Sequence, residues 1–477
     1  MSEPEKQSTP PVNRFRNALS NGEFVLLVES SSPSLSNDPI AAGERLAALE
    51  SAVLSVPGVN AALAITDRYL NLDAWRAVEY ANALREENRD RHVIYLSGRN
   101  TTAEELEQLA DAAAKSRNFN IVPVSGNCIP GDTLRECRKR VFTESVEILR
   151  GLSARPQPFF LGGTVNPYVY TPYTMMGQYF KLVKKLNAGA SFVVAQAGWD
   201  MLKLQSLRWY FSGRNLYDPM IARLVLLTPN LVEKILAGEY PGIYISRDFQ
   251  KILEKELRYS LNQFEAAQFR RIELQAAGCR LLGFSGIQLA GAETPSRAKI
   301  AAERIANALK EFDNFDSWLE EYNSYLARAE MSPFTSSFYL YDHTLRRAYP
   351  EEEHPAVRDF GEPKISPGEK LSFRLRRFLF EHADEQRADS RRLLKRLFAS
   401  CRGCHNCRLP QTEFVCPESC PKRLPNGPCG GVKPTGECEI APGECIHSKV
   451  LRLSYWNESM QTLEDRILDS GRDETFQ

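Results

Sequence analysis

From about residue 22 to 312 the chain alternates two patterns. Short β-branched and apolar runs, "FVLLVE", "NAALAIT", "HVIYLS", "NIVPVS", "PFFLGG", "SFVVAQ", "ARLVLLT" and "RLLGFSG", are separated by stretches with helical spacing such as "LDAWRAVEYANALREE", "TTAEELEQLADAAAK" and "GQYFKLVKKLNAG". The last ends in a glycine that suits a helix C-cap. Near-continuous apolar runs are strands buried on both faces, and strands joined by single helices run parallel. Eight such units in about 290 residues predict an α/β fold, a closed (β/α)8 TIM barrel. An open doubly wound sheet is the alternative, but no G-x-G-x-x-G turn follows the first run.

Several runs stop on polar or small residues: Glu29, Thr66, Ser97, Asn127 just past "VPVSG", Gln196, Thr228 and Ser285. In a barrel these positions ring the C-terminal mouth, where such enzymes do their chemistry. Strand ends are also polar simply because loops begin there. Glu29 stands apart, since it directly follows "FVLLV", where a carboxylate is costly to desolvate without a partner or a task.

The remainder divides into a disordered tail (1–21), the barrel domain (22–330), a connector (331–368), a helical and cysteine-rich domain (369–460) and a C-terminal tail (461–477). The connector mixes proline, charge and aromatics without sustained period. The stretch "EKLSFRLRRFLFEHADEQRADSRRLLKRLFAS" predicts one or two amphipathic helices with a solvated basic face, packed on the barrel. No internal repeat accompanies the β/α alternation.

Composition narrows the partners. The 477 residues exceed one ordinary core, so a large domain plus a smaller one is expected. Lys+Arg and Asp+Glu both number 60, leaving no net field to attract nucleic acid or an anionic membrane. A small molecule or a protein is the better partner. The N-terminus lacks a signal-like apolar run and no stretch reaches membrane-spanning length, so a cytoplasmic location is expected.

Eight of the eleven cysteines fall between positions 401 and 445, while Cys128, Cys137 and Cys279 are scattered. In a reducing compartment no disulfide framework is expected. The cluster runs Cys401-x2-Cys404-x2-Cys407, Cys416-x3-Cys420, then Cys429, Cys438 and Cys445. Thiolates this closely spaced can surround a metal, with glycines and prolines providing tight turns. C-x2-C-x2-C and the Cys-Pro pairs at Cys416 and Cys420 fit one or two [4Fe–4S] centres; one cluster with one zinc, or zinc alone, is the alternative. His405 and His447 lie among the cysteines, but eight thiols suffice without them.

The residues at this point resemble a known family. "FVLLVESSSPS", "NIVPVSGNCIPGD" and "KKLNAGASFVVAQAGWD" are similar, in order and spacing, to segments of the methylenetetrahydrofolate reductase barrel over residues 22–312. "CRGCHNC", "CPESCPKRLPNGPCGG" and "GECEIAPGEC" resemble the cysteine-rich methylenetetrahydrofolate reductase C-terminal domain over residues 335–460. The resemblance implies flavin-dependent (FAD or FMN) reduction of methylenetetrahydrofolate to methyltetrahydrofolate, or the reverse. NAD(P)H or a redox protein partner would be the electron source.

The same resemblance makes Glu29 the general acid, its pKa raised by burial. It sets Gln196 and Asn127 against the pterin, and Thr66, Tyr95, Asn127 and Lys185 beside the flavin. Four departures accompany it: Asn127 stands where the family has Asp, Tyr95 where it has His, Gln178 and Lys181 near the Asp and Asn of its flavin-binding helix, and "IQLAGAET" lacks its arginine. These favour an alternative, a non-catalytic folate or one-carbon-carrier binding or assembly protein, with a corrinoid-related partner and a structural zinc domain. A nucleic-acid-binding zinc ribbon is disfavoured by the charge balance.

Overall fold

The computed structural model describes residues 12–325, 329–346, 355–381, 392–404 and 406–470. Eight parallel strands close in chain order into a barrel: β1 (Val25–Ser31), β2 (Asn60–Thr66), β3 (Val93–Ser97), β4 (Asn120–Val124), β5 (Phe160–Val165), β6 (Phe192–Ala195), β7 (Met220–Val225) and β8 (Gly286–Ala290). Four helices matter for the site and its surroundings: α1 (Arg14–Ser20), α2 (Pro172–Asn187), α3 (Pro367–Phe380) and α4 (Ile446–Trp456).

Strand side chains alternate between two faces. Inside the barrel Val25, Leu27, Ala64, Val93, Val122, Phe192, Val194 and Ile221 form one apolar cluster. Leu26, Val28, Leu63, Ile65, Ile94 and Leu96 of the same strands join the surrounding helices in a larger core. Both faces are dry, which is why the runs read as continuously apolar. One more inward step brings Glu29 after Leu27, Thr66 after Ala64, Gln196 after Val194, Arg223 after Ile221 and Gln288 after Gly286. A polar layer therefore caps an apolar one.

The eighth expected run corrects the reading. "RLLGFSG" is no strand: Leu261–Leu281 is a single 21-residue helix, Gly283 turns the chain at φ +83°, and β8 starts at Gly286. Ser285 therefore lies at the bottom of the barrel, where its carbonyl accepts from the Val25 N–H at 3.0 Å. Thr228 lies beyond β7 and caps the helix Pro229–Leu236, accepting from the Leu231 N–H at 3.2 Å.

The N-terminal stretch is also more than a tail. Residues 1–11 lie outside the described residues, but α1 plugs the lower end of the barrel with Phe15, whose ring meets Phe192 at 5.3 Å and Phe160 at 5.9 Å. Closing a barrel leaves an apolar floor exposed, and an amphipathic turn of helix covers it. Within the connector, Tyr339, Leu340 and Tyr341 are buried. The Tyr339 hydroxyl donates to Asp200 at 2.7 Å, and the Lys203 ammonium donates to the Val169 and Phe338 carbonyls, both at 2.7 Å. Residues 461–470 are likewise held, with the Leu468 N–H on Asn426 Oδ1 at 2.7 Å; 471–477 lie outside the described residues.

The helix α3 packs on the cysteine-rich domain rather than on the barrel: Phe373 meets Phe414 at 5.7 Å and Trp456 at 5.5 Å. With Phe380, Leu409, Val415 and Leu453 these residues give that domain a small apolar core of its own. Cys128 and Cys137 form a disulfide, where no disulfide framework was expected; the short helix Leu134–Lys139 brings their Cα atoms to 5.8 Å, within bridging reach. Among the described residues no helix is long and apolar enough to cross a membrane.

Candidate functional site

At the C-terminal mouth the polar layer encloses a cavity of about 140 Å3. Glu29, Thr66, Tyr95, Asn127, Lys185 and Gln196 all line it together with Ser97, so the structure brings these barrel residues to one place, while Thr228 and Ser285 lie outside it. Its roof is Pro428, Cys429 and Gly430 of the cysteine-rich domain. The chain itself covers part of the opening.

The floor is a connected network. Glu29 accepts from Arg223 Nη2 at 2.7 Å and from Arg223 Nε, and its Oε1 also accepts from Gln288 Nε2 at 2.6 Å. Tyr95 donates its hydroxyl to Gln288 Oε1 at 2.8 Å, and Arg223 Nη1 donates to Gln196 Oε1 at 2.9 Å. Four strands contribute one residue each and Gln196 directly follows β6, with Arg223 and Gln288 as register partners on β7 and β8. Burial opposes charge on Arg223, but Glu29 more than offsets it and holds the guanidinium strongly protonated. Glu29 is thus not the solitary desolvated acid that the sequence implied; a cation shares its burial.

The rim adds further groups. Asp67 accepts from the Ser97 N–H at 2.8 Å and the Ala77 N–H at 3.0 Å and pairs with Arg76 at 3.1 Å, while Arg99 Nη1 donates to the Asn127 carbonyl at 2.7 Å. The Tyr69 ring lies 5.5 Å from the Arg223 guanidinium. Thr66 Oγ1 and Arg99 Nε are buried without a protein partner, as expected where a polar ligand completes the set.

On α2, burial pushes Lys185 down to about 7; its ammonium donates to the Thr164 carbonyl at 2.5 Å and to Thr164 Oγ1 at 2.9 Å. Lys181 pairs with Glu144 at 2.6 Å. Sequence reasoning missed Arg223 and Gln288. An arginine inside the run "ARLVLLT" was the available signal for the first, because strand interiors rarely carry an unpaired charge; misplacing β8 hid the second.

The thiols sort into two neighbourhoods. Cys416 lies within electrostatic reach of Cys401 and Cys404, and Cys407 packs against the same apolar cluster, while Cys420 and Cys445 neighbour each other and both Cys429 and Cys438. Backbone N–H groups point at the sulfurs: Arg402 and Glu418 at Cys416, Lys422 and Leu424 at Cys420, His447 and Ser448 at Cys445. Sulfur donors flanked by such amides are the groups that the expected thiolate centres would use. Among the described residues no three His, Cys, Asp or Glu side chains stand in metal-holding geometry. Cys429 belongs both to the inner set and to the roof of the cavity.

No curated protein matches the chain. Among solved structures, one described as an uncharacterized protein from Clostridium thermocellum that binds two copies of 5-methyl-5,6,7,8-tetrahydrofolic acid aligns with a TM-score of 0.47 at 16% identity, covering 61% of this chain and 99% of that one. Residues 380–469, which include all eight clustered cysteines, match the family described as methylene-tetrahydrofolate reductase C terminal, the family that the cysteine spacing resembles.

Proposed function

We propose that the barrel mouth binds a reduced folate carrying a one-carbon unit and that the protein interconverts methylenetetrahydrofolate and methyltetrahydrofolate, the two electrons passing to or from an external carrier, NAD(P)H or a redox protein. The observation that carries this reading is the enclosed polar layer of Glu29, Arg223, Gln196 and Gln288, covered by a domain similar to the C-terminal family of the reductase. Arg223 and Gln288 fix the Glu29 carboxylate from two sides, so it meets a ligand in one orientation. Such preorganised charge favours a transition state in which the one-carbon unit becomes cationic. Gln196 turns its amide nitrogen toward the ligand, since its oxygen is engaged by Arg223 and by the Ala197 N–H at 2.9 Å. The proton exchanged at the folate nitrogen, as the five-membered ring opens to the iminium or closes from it, is assigned to Glu29.

The two thiol sets are proposed to hold metal centres, Cys401, Cys404, Cys407 and Cys416 the outer one, Cys420, Cys429, Cys438 and Cys445 the inner one. An iron–sulfur centre supplies one-electron transfer when bound, and zinc supplies only a fold. In either case Cys429 ties the inner set to the roof.

The test uses anaerobically purified protein. Methyltetrahydrofolate is expected to bind saturably and to be oxidised with an artificial acceptor, and Glu29→Gln to keep binding while losing turnover. Full turnover in that variant removes Glu29 from its role. The engaged Glu29 and the neutral Asn127 favour a second reading, a folate-binding protein without turnover; folate binding with zinc and no oxidation selects it.

A further inference from the structure

The flavin that the family resemblance implies does not fit the groups that would hold it. On α2, the helix expected to face the flavin, three polar heads are spent on one loop of the chain itself. Gln178 Nε2 donates to the Cys429 carbonyl at 2.8 Å, Lys181 Nζ to the Gly427 carbonyl at 3.1 Å and Lys184 Nζ to the Asn426 carbonyl at 3.3 Å. Lys185, expected beside the flavin phosphates, has its ammonium engaged by Thr164 at the cavity wall.

The fit of loop to helix is close. A Cβ on Gly177 would meet Leu451 at 3.0 Å and Pro428 at 3.1 Å, so the helix has no side chain there to hold the loop off. Asn426 Nδ2 is fastened from below by Glu144 at 2.6 Å. What the loop leaves open is the cavity of about 140 Å3.

We infer that the loop Asn426–Gly430 is the resident occupant of the α2 groove, and that the groove takes no flavin. The loop's carbonyls substitute for ligand acceptors, and the lysines serve to dock the cysteine-rich domain. The inference rests on the proposed folate site only for what the remaining ligand is.

The full-length protein, purified anaerobically, is titrated with FAD and separately with FMN. Flavin emission is followed together with amide hydrogen exchange in 426–431. The expected result is no saturable quenching and unchanged protection of the loop amides. Saturable quenching by either flavin, or loss of loop protection on adding it, overturns the inference. Methyltetrahydrofolate added to the same sample separates the two proposals. If it fails to bind while flavin also fails, the proposed function falls and the resident loop stands; if both bind, the reverse holds.

Discussion

The barrel mouth and the cysteine-rich domain meet across one cavity, yet they are built by opposite means. In the mouth, side chains on rigid strands and at a strand end engage one another: Arg223, Glu29, Gln288, Tyr95 and Gln196 form a network before any ligand arrives. On the roof the contacts are backbone carbonyls of an irregular loop, presented to α2. Side chains on strands give a preorganised surface whose chemistry is written residue by residue. Carbonyls are common to every residue, so the roof's chemistry depends on shape, and its shape depends on glycine, proline and the thiols.

Breaking the shape should therefore have the largest effect. Cys420→Ser is expected to remove the proposed inner centre, roughly halving any bound metal, and to destabilise the cysteine-rich domain by several kcal/mol, since structural metal binding is folding free energy. Cys401→Ser should remove the outer centre with less effect on the cavity. Elemental analysis with urea unfolding reads both, and equal loss of cavity binding in the two variants would erase the inner–outer distinction.

Breaking the network should act on chemistry first. Glu29→Gln is expected to lower turnover about 10²- to 10⁴-fold, the range for lost acid–base assistance. Folate affinity, read by calorimetry, should change far less. Arg223→Met leaves Glu29 buried alone and should cost about 3–5 kcal/mol in urea unfolding, most of it recovered in the Glu29→Gln, Arg223→Met double variant. Simple additivity of the two would show that the pair is not coupled.

The junction between the two regions is probed by Gly177→Ala. Its methyl presses on Leu451 and Pro428, so a loss of about 1–3 kcal/mol is expected, with faster exchange confined to 426–431 and α4. The smallest effect concerns pH. Lys185 is held at about 7, so it is charged below and neutral above that value. An anionic ligand should bind more weakly as pH rises through 7, and Lys185→Met should flatten the profile. Folding lowers this group's affinity for protons, so the unfolded chain binds more of them above pH 7. Stability from this residue therefore rises between pH 7 and the ordinary lysine range, rather than falling.

Much of the barrel was legible. Its strands are dry on both faces, and residues such as Glu29, Thr66 and Gln196 fall at the ends of apolar runs by the simple period of two. The failures have common causes. Leu281 and Leu282 read as strand because apolar runs near a glycine look alike in helix ends and strands, and that displaced β8 and concealed Gln288. Phe15 read as tail because only the barrel floor gives it something to cover.

The sequence by itself determined the alternation that makes a closed barrel, the polar layer above its apolar interior, and a cysteine spacing that matches one family over residues 380–469. All three depend on local period and spacing, which a chain carries without folding. Tertiary structure alone decided that Arg223 neutralises Glu29 across 194 positions and that the loop at 426–430 lies in the α2 groove. Both need contacts between residues far apart in the chain. A lysine facing a carbonyl leaves no trace in the sequence, because every residue has one.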